Sequence, residues 1–274
     1  EAMIGELVNQ NGAYTIKVVT TDNAGNEASS EKTFYIDMTA PVVSEITGPA
    51  EGAAYSSDVD ISFTVSEAPF NESGNHTTVS VERTLDGETA HNDITYDSSD
   101  NTLDKTYRFT EDGIYTISVS SVDNAGNISN TRTTSFTIDK IAPVINVTGV
   151  TSDTYYSDPV TMTLNVTESN YSDNSVSITA TRDNSGTISN VQLEEFTGTE
   201  KSSTRDYVFS EDGTYTVAVN AVDRAGNTAA EQIYTFTVDN TVPEVVISGI
   251  DAKNKNINPV VAITDEYFDS YSVR

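Results

Sequence analysis

The pentapeptide Asp-Asn-Ala-Gly-Asn, at Asp123 to Asn127, constrains this chain more than any other stretch because it returns in register with several other landmarks. Copies begin at Asp22 and at Asp223, the last with Arg224 in place of the first Asn. Ahead of each copy stands Gly-x-Tyr, as Gly12 and Tyr14, Gly113 and Tyr115, and Gly213 and Tyr215. Behind each copy a Phe-containing run ends in Asp37, Asp139 or Asp239, followed by Pro41, Pro143 or Pro243. The three glycines stand 101 and then 100 residues apart. A period of that length is too long for a helical or leucine-rich solenoid and matches one small all-β domain. The expectation is a row of like modules joined head to tail.

Hydrophobic alternation supports strands in every copy. Val59, Ile61, Phe63 and Val65 alternate with Asp60, Ser62 and Thr64, the period of a half-buried strand. Val42 to Ile46, Val79 with Val81, Tyr107 with Phe109, Tyr115 to Val119, and Phe136 with Ile138 mark further strands. The next copy repeats them at Val144 to Val147, Val160 to Val166, Val176 with Ile178, Tyr207 with Phe209, Tyr215 to Val219, and Phe236 with Val238. Nowhere do apolar residues recur at helical spacing over three turns, so two antiparallel sheets with about seven short strands per module are expected. The segmentation is 1–38, the end of a cut module; 39–139 and 140–239, two whole modules; and 240–274, the start of another. The chain opens and closes in mid-repeat and reads as a piece of a longer one. The head is expected to lean on its neighbour, because a lone hairpin is marginal in water. The least repetitive segments, 72–104 and 169–203, are rich in Ser, Thr, Asn and Asp and read as surface loops.

Composition narrows the partners. Lys and Arg number 14 against 42 Asp and Glu, a net charge of −28, which argues against nucleic acid and anionic lipid. Such acidity serves solubility and repulsion between modules, or binds cations. There is no Cys, so packing or bound metal replaces disulfides. No apolar run approaches the roughly 18 residues needed to span a bilayer, so no membrane insertion is expected of this segment.

The stretch around Tyr115 and Tyr215 resembles the immunoglobulin fold. Asp112-Gly113-Ile114-Tyr115 and Asp212-Gly213-Thr214-Tyr215 look like the tyrosine corner, whose phenol hydrogen-bonds to the chain just upstream. Two residues on, where antibody domains place a disulfide Cys, stand Ile117 and Val217. More closely, Tyr-Thr-x-x-Val-x-x-x-Asp-x-Ala-Gly-Asn, then Phe-Thr-(Val or Ile)-Asp, then Ala-Pro or Val-Pro, resembles the bacterial Ig-like repeats of large surface proteins and adhesins. The likeness covers nearly the whole chain. It implies tandem immunoglobulin-like β-sandwiches forming an exported stalk on the cell surface, with a host or surface ligand, protein or glycan, left unidentified.

Ig-like topology also gathers acids. The turn between the last two strands and the turn after the second strand share the pole where the chain enters the module. That places Asp37, Glu67 and Asp123 together, and one repeat on Asp139, Glu168 and Asp223. At the third junction only Asp239 with Asp265 or Glu266 is present. Calcium suits such a set, being a hard ion that takes six to eight oxygens. Some adhesins that the chain resembles carry calcium at their junctions. The plainer reading is that the turn Asp bonds its own turn and Asp37 caps a strand end. Gly126 and Asn127 are expected at positive φ.

Catalysis finds little support. His76 and His91 lie in one polar region with no counterpart in the second module, and no phosphate-binding glycine loop is visible. Lys105 and Lys201 read as solvated rather than as crosslinking residues. An alternative role is a spacer or carbohydrate-binding module of an extracellular glycan-degrading enzyme, for which Tyr155, Tyr156 and Tyr171 are the aromatic candidates.

Overall fold

Residues two apart in a strand share a face, so the alternation of Ile61, Phe63 and Val65 with polar neighbours sends one row inward and the other to solvent. The computed structural model describes residues 10–67, 75–98, 102–168, 174–197, 201–250, 258–268 and 270–272, and all regular structure among them is β-strand. No helix there is long and apolar enough to cross a membrane. The chain divides into two compact units, 1–140 and 141–274.

In the first unit, β1 (Gly12–Thr21) and β2 (Glu27–Ile36) form a hairpin across the first Asp-Asn-Ala-Gly-Asn turn. The strands β3 (Val42–Val43), β4 (Ala53–Tyr55), β5 (Val59–Ser66), β6 (Asn75–Leu85), β7 (Glu88–Ser98), β8 (Thr102–Phe109), β9 (Gly113–Asp123) and β10 (Arg132–Ile138) follow. They form a five-stranded sheet in the order β4-β10-β9-β6-β7 and a three-stranded sheet in the order β3-β5-β8. Pairing is antiparallel except between β4 and β10. The first strand of the sequence reading, Val42 to Ile46, is thus shortened to β3, and β4, which follows it on the other sheet, had not been foreseen.

The second unit repeats the plan with β11 (Val144–Thr148), β12 (Tyr155–Tyr156), β13 (Val160–Thr167), β14 (Asn174–Asn184), β15 (Thr187–Val191), β16 (Ser202–Phe209), β17 (Gly213–Asp223) and β18 (Gln232–Val238). The orders are β12-β18-β17-β14-β15 and β11-β13-β16. A hairpin of β19 (Glu244–Ser248) and β20 (Val260–Thr264) closes the unit.

Each sandwich holds one core. Ile61, Phe63 and Val65 meet Val79, Ile117, Val119, Phe136 and Ile138 in the first. Met162, Leu164 and Val166 meet Val217, Val219, Phe236 and Val238 in the second. Burying each such side chain stabilises by roughly 1.5–3 kcal/mol. The same three rings recur: Phe109, Tyr115 and Phe136, with centroids 5.1 to 5.5 Å apart, and Phe209, Tyr215 and Phe236, 4.9 to 5.6 Å apart. Ile117 and Val217 fill the position of the missing disulfide with no exposed surface. The tyrosine corner is present in each copy: the hydroxyls of Tyr14, Tyr115 and Tyr215 donate to the carbonyls of Gln10, Glu111 and Glu211 at 2.9, 2.7 and 2.8 Å. Burial pushes the Tyr115 and Tyr215 phenols up, which keeps them neutral donors.

The loop reading of the two polar segments is corrected. They contain the β6–β7 and β14–β15 hairpins, turned by Asp86-Gly87 at φ 53° and 84° and by Ser185-Gly186 at φ 52° and 84°. Two successive left-handed residues make a turn whose twist matches the flanking strands. The outer edge, β7, is mostly exposed and needs few apolar residues; Ile94 and Tyr96 alone tie it to the core. A strand exposed on one edge and one face looks like a loop in composition.

Candidate metal centre

The acidic pole begins with the turn that closes β9. Asp123 Oδ1 accepts the Asn127 N–H at 2.8 Å, and Oδ2 accepts Asn127 Nδ2–H at 2.8 Å. The Gly126 N–H donates to the Asp123 carbonyl at 3.1 Å, with Gly126 at φ 89°. Asp223 is held the same way by Asn227, at 2.9 and 2.7 Å. So is Asp22 by Asn26, at 2.8 Å to each oxygen. The Asn26 side-chain amide, with backbone N–H groups behind it, holds the Asp22 carboxyl below the usual range. Asp22 is exposed and belongs to no carboxylate group of three among the described residues, so the turn forms without such a group. The expected positive φ is confirmed for Gly126 and corrected for Asn127, which is not among the left-handed residues. Asn is needed there for its amide.

Two further acids reach Asp123 from elements that end at the same pole. Asp37 follows β2 and Glu67 follows β5, and one carboxylate oxygen from each of Asp37, Glu67 and Asp123 lies within 4.8 Å of the others. Asp123 is buried and the other two are half-buried. Asn127 Nδ2 also donates to the Asp37 carbonyl at 3.1 Å, tying the linker to the turn. Asp37 Oδ1 accepts the Thr39 N–H at 3.0 Å. Its Oδ2 is buried with no hydrogen-bond partner among the described residues. The turn bond and the local cap are thus both real, and they coexist with the cluster.

In the second unit, Glu168 follows β13 and Asp223 ends β17; both are buried and bring carboxylate oxygens within 4.8 Å of each other. Asp139 follows β10 in the first unit, buried, with its N–H donating to the Tyr55 carbonyl at 2.9 Å. Asp239 has the matching bond to the Tyr156 carbonyl at 2.9 Å, and its Oδ1 accepts the Thr241 N–H at 3.1 Å as Asp37 does from Thr39. Asp265 accepts its own turn, from the Tyr267 N–H at 2.9 Å, and Glu266 accepts the Ser185 hydroxyl. Among the described residues these do not complete a third group.

Three ionised carboxylates at this separation repel by roughly 3–4 kcal/mol per pair at an effective dielectric of 20. A divalent cation reverses the sign of that interaction. Carboxylate oxygens with nearby backbone carbonyls are the donor set of calcium rather than of a soft metal.

The other candidates fall elsewhere. His76 sits 2.7 Å from Asp97, and His91 lies 3.1 Å from Asp93 and 3.7 Å from Glu82, all on the exposed β6–β7 hairpin. Lys105 lies 4.6 Å over the Tyr96 ring, a cation–π contact on a surface side chain. Tyr155 is exposed, Tyr156 is half-buried with its hydroxyl accepting the Thr151 N–H at 2.9 Å, and Tyr171 lies outside the described residues. Sequence reasoning missed Arg83, which donates to the Asp112 carbonyl at 2.8 Å and pairs with Glu111 at 2.6 Å beside the tyrosine corner. Arg182 pairs with Glu211 in the second module. Their 99-residue spacing was the available signal.

Residues 45–140 match one bacterial Ig-like domain family and residues 145–240 match another. The chain belongs to the bacterial Ig-like domains. Domains of this kind are generally non-catalytic and typically occur in extracellular or surface proteins. No curated protein matches the sequence. Among solved structures, this tandem of bacterial Ig-like domains is similar to the FN1–FN3 domains of chicken CNTN1, at 14% identity over 81% of this chain and 77% of that one, with a TM-score of 0.25. It is also similar to the fibronectin(III)-like modules of Clostridium thermocellum CbhA, at 14% identity over 72% and 94%, with a TM-score of 0.29. At these scores the two likenesses carry no functional argument.

Proposed function

We propose that these bacterial Ig-like modules are a non-catalytic spacer in an adhesin-type cell-surface protein, stiffened where modules join by calcium. The ligands are Asp37, Glu67 and Asp123 and, one repeat on, Asp139, Glu168 and Asp223. The observation that carries the reading is the convergence of three carboxylates from three separate segments, one of them the incoming linker, with Asp37 Oδ2 buried beside them. An ion bound there links the linker, the end of β5 and the last turn, so hinge motion at the junction breaks metal–oxygen bonds. Asp139 joins the second set through the repeat: it occupies the frame of Asp37, as Glu168 occupies that of Glu67 and Asp223 that of Asp123.

The test is a pair of measurements on the whole chain with calcium and with chelator. Calcium at a hundredfold excess over its dissociation constant adds about 2.7 kcal/mol per site. It therefore raises the melting temperature and narrows the distribution of sizes seen by solution scattering. Superimposable melts and scattering curves overturn the calcium reading. Surface placement is checked by labelling intact cells with an antibody to the two whole modules; label that enters only after lysis overturns it.

A further inference from the structure

The second unit carries a cleft that the junction acids do not explain. It encloses about 560 Å³ and is lined by Tyr155, Tyr156, Ser157, Asp239, Tyr267 and Phe268. That volume lies within the range of small-molecule sites. Four aromatic rings are largely exposed among the described residues: Tyr35 (47%), Tyr155 (68%), Phe268 (43%) and Tyr271 (69%). Three of them gather here. Tyr155 and Tyr267 meet edge to face at 6.2 Å, and Phe268 stacks on Tyr271 at 6.2 Å.

The fold does not require this concentration. Tyr155 pairs with Thr237 across β12 and β18, as Ala54 pairs with Thr137 across β4 and β10. The first module thus makes the same edge with a methyl group. The neighbouring tyrosines, Tyr55 and Tyr156, have a structural task in both modules: their hydroxyls accept the Ala50 and Thr151 N–H groups at 2.8 and 2.9 Å. Tyr155 has no such bond among those of the described residues, and its ring faces the cleft.

Among the described residues, the charged groups that act on the Tyr267 ring are all acids. Asp239 lines the cleft, and Asp183 and Glu266 act with it on the Tyr267 phenol. An anionic ligand is repelled from such a site, and the chain's net charge of −28 concentrates cations near it. Aromatic faces beside a carboxylate are the arrangement that holds a weakly hydrated cation by cation–π attraction. We infer that the Tyr155, Tyr267 and Phe268 cleft, closed on one side by Asp239, is a binding site for an organic ammonium group.

The experiment titrates the whole chain with choline, n-butylammonium and a neutral methyl glucoside, following tyrosine fluorescence and the ring resonances of Tyr155 and Tyr267. Chelator is present throughout, so the outcome does not depend on calcium at the junctions. Saturable binding of choline or n-butylammonium is expected, and the tighter of the two distinguishes a methylated head from a primary amine. Tyr155→Ala weakens it roughly fivefold to tenfold, the scale of a partly desolvated cation–π contact. Tyr155→Phe, which keeps the ring face, retains it, and Asp239→Asn weakens it while preserving the acceptor for Thr241. Tyr155 is exposed, so its variants fold. Absence of binding by both ammonium probes, binding of the glucoside alone, or ammonium binding unchanged by Tyr155→Ala overturns the assignment.

Discussion

Replacing Asn127 with alanine removes the side-chain amide's bonds to Asp123 Oδ2 and to the Asp37 carbonyl and leaves the backbone bond to Asp123 Oδ1 in place. The expected cost is about 1–2 kcal/mol in denaturant unfolding of the first module. Two glycines separate conformational from steric demand. Gly126 has open space around its missing Cβ but a φ of 89°, so Gly126→Ala costs about 1 kcal/mol. Gly149, at φ 87°, would place a Cβ 2.0 Å from the Thr161 carbonyl oxygen, so Gly149→Ala costs about 3 kcal/mol or more by the same unfolding measurement. Acid sensitivity also belongs to single residues. The Thr241 hydroxyl, with the Asn240 N–H, holds the Asp212 carboxyl below its usual range, and Lys140 and Arg108 do the same for Asp58. A depressed folded pKa means that the unfolded chain takes up protons first. Stability from these groups is present above about pH 4, the unfolded carboxylate value, and is lost as pH falls through the lower folded values. Melting temperature should therefore drop below that pH, and Asp212→Asn should flatten the drop.

At the scale of elements, the strands with one wet and one dry face were legible because their alternation is the signature of a sheet face. Val59–Ser66 and Val160–Thr167 match the sequence reading to within a residue or two. The hairpin arms Glu88–Ser98 and Thr187–Val191 were not legible, because an edge strand exposed on one face is written in polar residues. Their turns did carry a signal: Asp86-Gly87 and Ser185-Gly186 sit at matching places in the two modules. A branched side chain at Gly87, where φ is 84°, should release β7 from the sheet. Gly87→Val is thus expected to raise amide exchange across Glu88–Ser98 while the β5 amides stay protected; equal protection in both proteins would show that the turn does not set the pairing. The acidic pole was legible for a different reason. Topology fixes which turns share an end, so Asp37, Glu67 and Asp123 follow from the repeat and the sandwich together. The dual task of Asn127 did not follow, since its bond to the linker carbonyl depends on where the preceding hairpin enters.

For the whole molecule, two hydrophobic cores and repeated acidic poles describe a protein whose folding is local to each module and whose joints are a separate chemical matter. Net charge of −28 keeps modules soluble and opposes their collapse onto one another, and it also makes each joint costly to assemble without a counter-ion. The aromatic cleft of the second unit stands apart, since it is absent from the first module's plan at Ala54. Calorimetric titration of the whole chain with calcium tests the central claim most directly. The account predicts saturable uptake of two ions per chain, one for each set of three carboxylates, and one ion when Glu67 is replaced by Gln. No saturable heat, or the same uptake with and without Glu67, would contradict it.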